Sequence, residues 1–202
     1  MKNKWYRAGV FVFFFLILVL TACHAQRRVE QISGGKKRVA LVAKSAESAF
    51  WKTVRAGANA ASTEYNMDLI FEAPLSEEDY AAQNQMIRSV VEEGVDAIVF
   101  SAVDFEANAE AVDEAAEEGV KIVSIDSEVN SSAVECYIGT DNYEAGCLAG
   151  EAVLECQAPV LNIGIVNYDK NSENGQTREA GFRDTVAKDS RAVIVDAINV
   201  NS

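Results

Sequence analysis

The chain has 202 residues, 49% of them hydrophobic and 24% charged, with only two prolines, a composition that excludes disorder and low-complexity sequence and suffices for a sizeable core. Acids outnumber bases by 31 to 18, a formal charge of -13, which excludes the clustered cations that a nucleic-acid surface requires. The single histidine, His24, leaves Ser/His/Asp triads, Cys/His pairs and His-based zinc sites without their residues elsewhere in the chain.

Lys2, Lys4 and Arg7 precede an apolar run from Ala8 to Leu20. A basic start followed by a short apolar core reads as an export signal over residues 1–22. The run is shorter than the roughly 20 residues a membrane-spanning helix needs. Leu20-Thr21-Ala22-Cys23 resembles the lipobox of bacterial lipoproteins, in which the cysteine takes a diacylglycerol and becomes the new N-terminus. The resemblance implies lipidation at Cys23 and an exported protein anchored on the extracytoplasmic side of the cell membrane. Losing residues 1–22 removes three bases and no acid, so the exported domain is acidic and stands off an anionic lipid surface. Residues 23–37, with little apolar patterning and containing Ser33-Gly34-Gly35, read as a tether.

From Arg38 onward, short β-branched runs alternate with longer amphipathic ones. Strands are expected at Val39–Val42, Asp68–Phe71, Ala97–Phe100, Lys121–Ile125, Glu135–Ile138, Leu161–Val166 and Ala192–Ala197. Helices are expected at Ser48–Tyr65, Glu77–Glu93, Phe105–Glu118, Asn142–Cys156 and Gly175–Ala187. In the second of these Ala82, Met86, Val90 and Val91 recur at helical spacing, and Gly94 and Gly119 stand where helices two and three should stop. Near-continuous apolar strands separated by helices predict a doubly wound parallel α/β sheet. Ligands of such sheets bind beyond the carboxyl ends of the strands, which directs attention to Lys44-Ser45, Ser101 to Asp104, Asp126-Ser127, Asp141-Asn142 and Asn167 to Ser172. The first strand is not followed by a phosphate-binding glycine loop, and no metal-ligand or cofactor motif is present. Cys136, Cys147 and Cys156 are expected as small buried apolar residues. The last two lie about 13 Å apart on opposite faces of one helix and should not pair.

The first strand leads into Lys44-Ser45-Ala46-Glu47-Ser48-Ala49-Phe50-Trp51, which places two adjacent aromatics at a strand-to-helix junction. They either cap the core or offer flat faces to the C–H side of a sugar ring while charged groups bond its hydroxyls. Further along stand Gly94-Val95-Asp96-Ala97-Ile98 before Ser101, Ile125-Asp126, Ile138-Gly139-Thr140-Asp141-Asn142 followed by Gly146, and Arg178-Glu179-Ala180-Gly181-Phe182. In their order and spacing these segments resemble the type I periplasmic sugar-binding proteins, the ribose- and galactose-binding family that feeds ABC transporters.

That resemblance implies two α/β lobes that close on ligand: an N-terminal lobe over residues 38–128, a crossover or hinge over 129–141, and a partial C-terminal lobe over 142–202 of a chain that would run on. It implies that Phe50 and Trp51 stack on a sugar, that Asp126 grips its hydroxyls and that Arg178 donates from the second lobe. Ser48 and Ser101 stand where ribose-type members often place asparagines, and Ser127 where arginine is common, departures that keep the binding-protein resemblance but weigh against ribose itself as the ligand. Lys44 replaces a small polar residue and would admit a more acidic or phosphorylated ligand. The implied function is capture of a sugar or polyol, without catalysis or cofactor, for an ABC permease. The alternative partner is a membrane sensor kinase. A LacI-type repressor shares the fold but would need a DNA-binding helix-turn-helix where the lipobox stands.

Overall fold

The β-branched runs form two separate parallel sheets. In this computed structural model, which describes residues 35–200, the first sheet holds β1 (Arg38–Val42), β2 (Asp68–Glu72), β3 (Ala97–Phe100), β4 (Lys121–Ile125) and β5 (Val134–Ile138) in the order β2-β1-β3-β4-β5. The export signal, Cys23 and most of the tether lie outside the described residues. Helices α1 (Ala49–Glu64), α2 (Tyr80–Glu92) and α3 (Ala109–Glu117) connect the strands of this sheet. The second sheet pairs β6 (Leu161–Asn167) with β7 (Ala192–Asn199), accompanied by α4 (Asn142–Leu154) and α5 (Glu173–Val186). The doubly wound α/β class is therefore the one read from the sequence.

Strand residues Ala40, Val42, Ile98, Phe100 and Ile122 pack with Ile87 and Val90 of α2 and Ala111, Val112 and Ala115 of α3 into one buried core. Each such fully buried Val, Ile or Phe contributes about 1.5–3 kcal/mol. Leu161, Ile163 and Val186 form a smaller core under the second sheet, whose opposite face leaves Val166, Val193, Val195 and Ile198 exposed. Gly94 and Gly119 take positive φ, 78° and 88°, directly after the C-caps of α2 and α3, where a side chain would be strained.

Two helices start later than the sequence suggests, because carboxylates and amides claim the preceding backbone. Asp79 accepts from the amide of Ala82 at 2.8 Å and so caps α2. Asp104 accepts from the amides of Glu106 and Ala107, and Asn108 accepts from the amide of Asp104, which holds residues 104–108 in turns ahead of α3. The crossover is also shorter than expected: β5 pairs with β4 and belongs to the first sheet, so the chain leaves that sheet only at residues 139–141.

The cysteines depart from expectation as well. Cys136 and Cys156 are exposed and Cys147 is half-buried, all three with free thiols. Cys136 lies on β5, which has a strand neighbour on one side only, and Cys156 follows the C-cap of α4. The second unit depends on close helix packing. A Cβ at Gly146 would fall 2.0 Å from the carbonyl oxygen of Arg178, and one at Gly181 would fall 2.1 Å from that of Tyr143. Gly181→Ala must push α4 and α5 apart, with an expected loss of about 2–4 kcal/mol in urea unfolding; an unchanged unfolding midpoint would contradict this packing.

Candidate functional site

The order β2-β1-β3 creates a topological switch point at the carboxyl ends of β1 and β3, where a doubly wound sheet leaves a crevice. A cleft of about 350 Å³ lies there, lined by Lys44, Ser48, Phe50, Trp51, Glu77, Asp126, Tyr168 and Asn174. The first six come from segments that follow β1, β2 and β4. Tyr168 and Asn174 come from the loop after β6 and the first turn of α5, so both units contribute.

Asp126 is the centre of this arrangement. Its Oδ2 lies 3.6 Å from the Lys44 ammonium and 3.4 Å from the hydroxyls of both Ser101 and Ser127. Its Oδ1 has no hydrogen-bond partner among the described residues, and the side chain is one-third exposed. The residue also adopts φ 59°, the left-handed region, which costs a non-glycine residue of order 1 kcal/mol and persists only where surroundings enforce it. Ser101 and Ser127 are fully buried, so they hold the carboxylate from beneath. Lys44 is nearly as buried, its side chain 3% exposed. Burial pushes its pKa below the usual 10.5, against the opposing pull of Asp126, Glu77 and Asp169. The ammonium also lies 6.0 Å from the centre of the Tyr168 ring, and Tyr168 donates its hydroxyl to Glu77 across the cleft.

The aromatic pair divides its labour. Trp51 is 2% exposed and belongs to the packed floor, whereas Phe50 is 56% exposed, with the two rings edge-on at 5.0 Å. Phe50 therefore supplies the open aromatic face. Ser48 begins α1 as its N-cap but makes no side-chain cap bond, which leaves its hydroxyl to the cleft. Ser45 makes the turn instead, accepting from the amides of Glu47 and Ser48.

Arg178 is not brought to this cleft. It donates to Asn142 at the start of α4 and lines a different cavity with Gly146, Val166 and Phe182. Glu77 and Asn174 line the cleft without having been singled out in the sequence, whereas Tyr168 belongs to the segment Asn167 to Ser172 expected beyond the end of a strand. Gln83 was missed too: it is fully buried, donates to the carbonyls of Ala43 and Ser101, and accepts from the amide of Val103. It thereby joins the ends of β1 and β3 at the floor of the crevice. Among the described residues, no three His, Cys, Asp or Glu are placed to hold a metal ion, and no helix is long and apolar enough to cross a membrane.

The profile of a family described as periplasmic binding protein domain matches residues 39–202. The D-ribose/D-allose-binding protein of Pseudomonas aeruginosa is 28% identical over 180 residues, covering 84% of this chain and 56% of that protein. The chain thus spans a little over half the length of this curated relative. A carbohydrate transporter solute-binding protein from Agrobacterium radiobacter, solved with D-arabinose, superposes with a TM-score of 0.77 at 25% identity, over 83% of this chain and 59% of that one. The XylFII–LytSN complex matches with a TM-score of 0.72 at 27% identity, over 82% of this chain and 60% of that one. The relatives named for their ligands are binding proteins, in keeping with a chain read as a binder and not an enzyme.

Proposed function

Because the chain belongs to the periplasmic binding protein domain family, we propose that it is an extracytoplasmic solute-binding protein that captures a sugar or related polyol for an ABC importer, anchored by a lipid on Cys23. The observation that carries this reading is Asp126: one carboxylate oxygen is tied down by Lys44, Ser101 and Ser127, and the one-third-exposed side chain lines a cleft that the exposed Phe50 ring also lines. A carboxylate held in this way accepts a ligand hydroxyl without having to reorganise, and Phe50 covers the apolar face of the ring. Lys44 and Ser48 donate to neighbouring hydroxyls. Groups from both units line the cleft, so a ligand that touches both favours the closed arrangement over the open one.

The charges around Lys44 also select the ligand. Asp126, Glu77 and Asp169 all act on it, so its positive charge is already compensated and the cleft favours an uncharged polyol over a phosphorylated one. The alternative partner, a membrane sensor kinase receiving the loaded protein, draws on the match to a binding protein fold solved within the XylFII–LytSN complex.

A thermal-shift screen of pentoses, hexoses, inositols and sugar phosphates tests the reading. A ligand present at 100 times its dissociation constant stabilises by about 2.7 kcal/mol, which for a domain of this size raises the melting temperature by roughly 5–10 °C. Neutral polyols should produce that shift and sugar phosphates should not. If no polyol raises the melting temperature, the reading fails.

A further inference from the structure

Asp126 is gripped by its backbone as well as by its side chain. Its amide donates to the carbonyl of Ile138 at 3.0 Å, and its carbonyl accepts from the phenol of Tyr137 at 2.7 Å. Both partners are neighbours on β5. Two bonds from one strand therefore hold both backbone polar groups of a residue that sits at φ 59°, a conformation that only a surrounding constraint maintains in a non-glycine residue.

The Tyr137 ring reaches Asp126 by folding back over Gly139, where a Cβ would lie 1.9 Å from the phenol oxygen and 2.2 Å from the ring carbon that bears it. Glycine is the residue that leaves this path open. The same phenol lies 3.4 Å from the carbonyl of Thr140, in the segment through which the chain leaves the first sheet. Burial first, and then the carboxylates of Glu173, Glu128 and Asp126, push the Tyr137 phenol up to about 12. It remains a hydrogen-bond donor throughout the ordinary pH range.

We propose that Tyr137, seated over Gly139, is a positioning residue that locks Asp126 in its left-handed conformation and so aims the free carboxylate oxygen into the ligand cleft. The inference rests on the reading of Asp126 as the ligand's acceptor. It adds a residue that touches no ligand yet sets affinity, and it ties that setting to the passage between the two units.

The test combines Tyr137→Phe, which keeps the ring and removes one hydroxyl, with Gly139→Ala, which displaces the ring. Affinity for D-ribose and D-allose is measured by titration calorimetry in wild type and in an Asp126→Ala background. Amide hydrogen exchange at Asp126 and Ser127 is followed without sugar. Tyr137→Phe should weaken sugar binding roughly three- to tenfold, as expected for one lost hydrogen bond, and should speed exchange at those two amides. Gly139→Ala should do the same. In the Asp126→Ala background neither change should weaken residual binding further. Wild-type affinity in Tyr137→Phe, unchanged exchange at Asp126 and Ser127, or an equal affinity loss with Asp126 absent would each overturn the inference. If neither sugar binds the wild type, the reading of the site falls for these sugars, and the exchange measurement decides the backbone lock by itself.

Discussion

Asp126→Ala weakens sugar binding by about ten- to a hundredfold, the equivalent of one charge-assisted hydrogen bond of about 1.5–3 kcal/mol, while the protein remains folded. The loss is large because the carboxylate is prepared for the ligand: Lys44, Ser101 and Ser127 occupy Oδ2 and leave Oδ1 open. The fold survives because the cation left behind can shed its charge. Burial already lowers the Lys44 pKa, and Asp126 is the largest of the attractions that oppose the shift. Between that lowered value and 10.5 the unfolded chain holds a proton that the folded protein has released, so this residue's contribution to stability rises with pH across the window and is least favourable below it. Without Asp126 the window opens at a lower pH. Calorimetric titration with sugar and melting curves across alkaline pH check both parts. Wild-type affinity in Asp126→Ala would remove Asp126 from the site.

The second large effect is on stability. Gln83→Ala strips partners from three buried backbone groups, the carbonyls of Ala43 and Ser101 and the amide of Val103. Each unsatisfied group costs about 1–3 kcal/mol, so a total of about 3–9 kcal/mol is expected, with melting lower by about 6 °C or more. Because Ala43 precedes Lys44 and Ser101 lies beneath Asp126, sugar affinity should fall as well. A melting temperature within about 2 °C of wild type would mean that water replaces the amide, and that the crevice floor does not depend on Gln83.

The strands could be read from the sequence because their signal is local: Val39 to Val42, Ala97 to Phe100 and Lys121 to Ile125 are short apolar runs, and each became a strand within a residue of its expected bounds. The α/β class followed from their alternation with helices. Rotation about a helix axis was harder to read. Phe50 and Trp51 look equivalent in the sequence, yet consecutive helical positions point about 100° apart, so one faces the cleft and the other the core. In α5, Asn174 and Arg178 stand four residues apart on one face, but the rise of about 6 Å between them leaves Asn174 at the cleft and takes Arg178 to Asn142. On α2 the fully buried positions are Gln83, Ile87 and Val90; of the expected stripe, Val90 lies in the core and Met86 and Val91 pack against it half-buried, so its centre runs one residue further on, through Gln83 and Ile87. A glutamine three and four residues ahead of Met86 and Ile87 was a visible signal for a buried polar tie. Glu77 and Tyr168 lie 91 positions apart, and only tertiary structure brings them together.

The most direct measurement is a crystal structure of the protein grown with the neutral polyol that gives the largest thermal shift. The ring is expected against Phe50, with a hydroxyl within hydrogen-bonding distance of Asp126 Oδ1. An empty cleft, or a polyol bound elsewhere while Asp126 remains untouched, would contradict it.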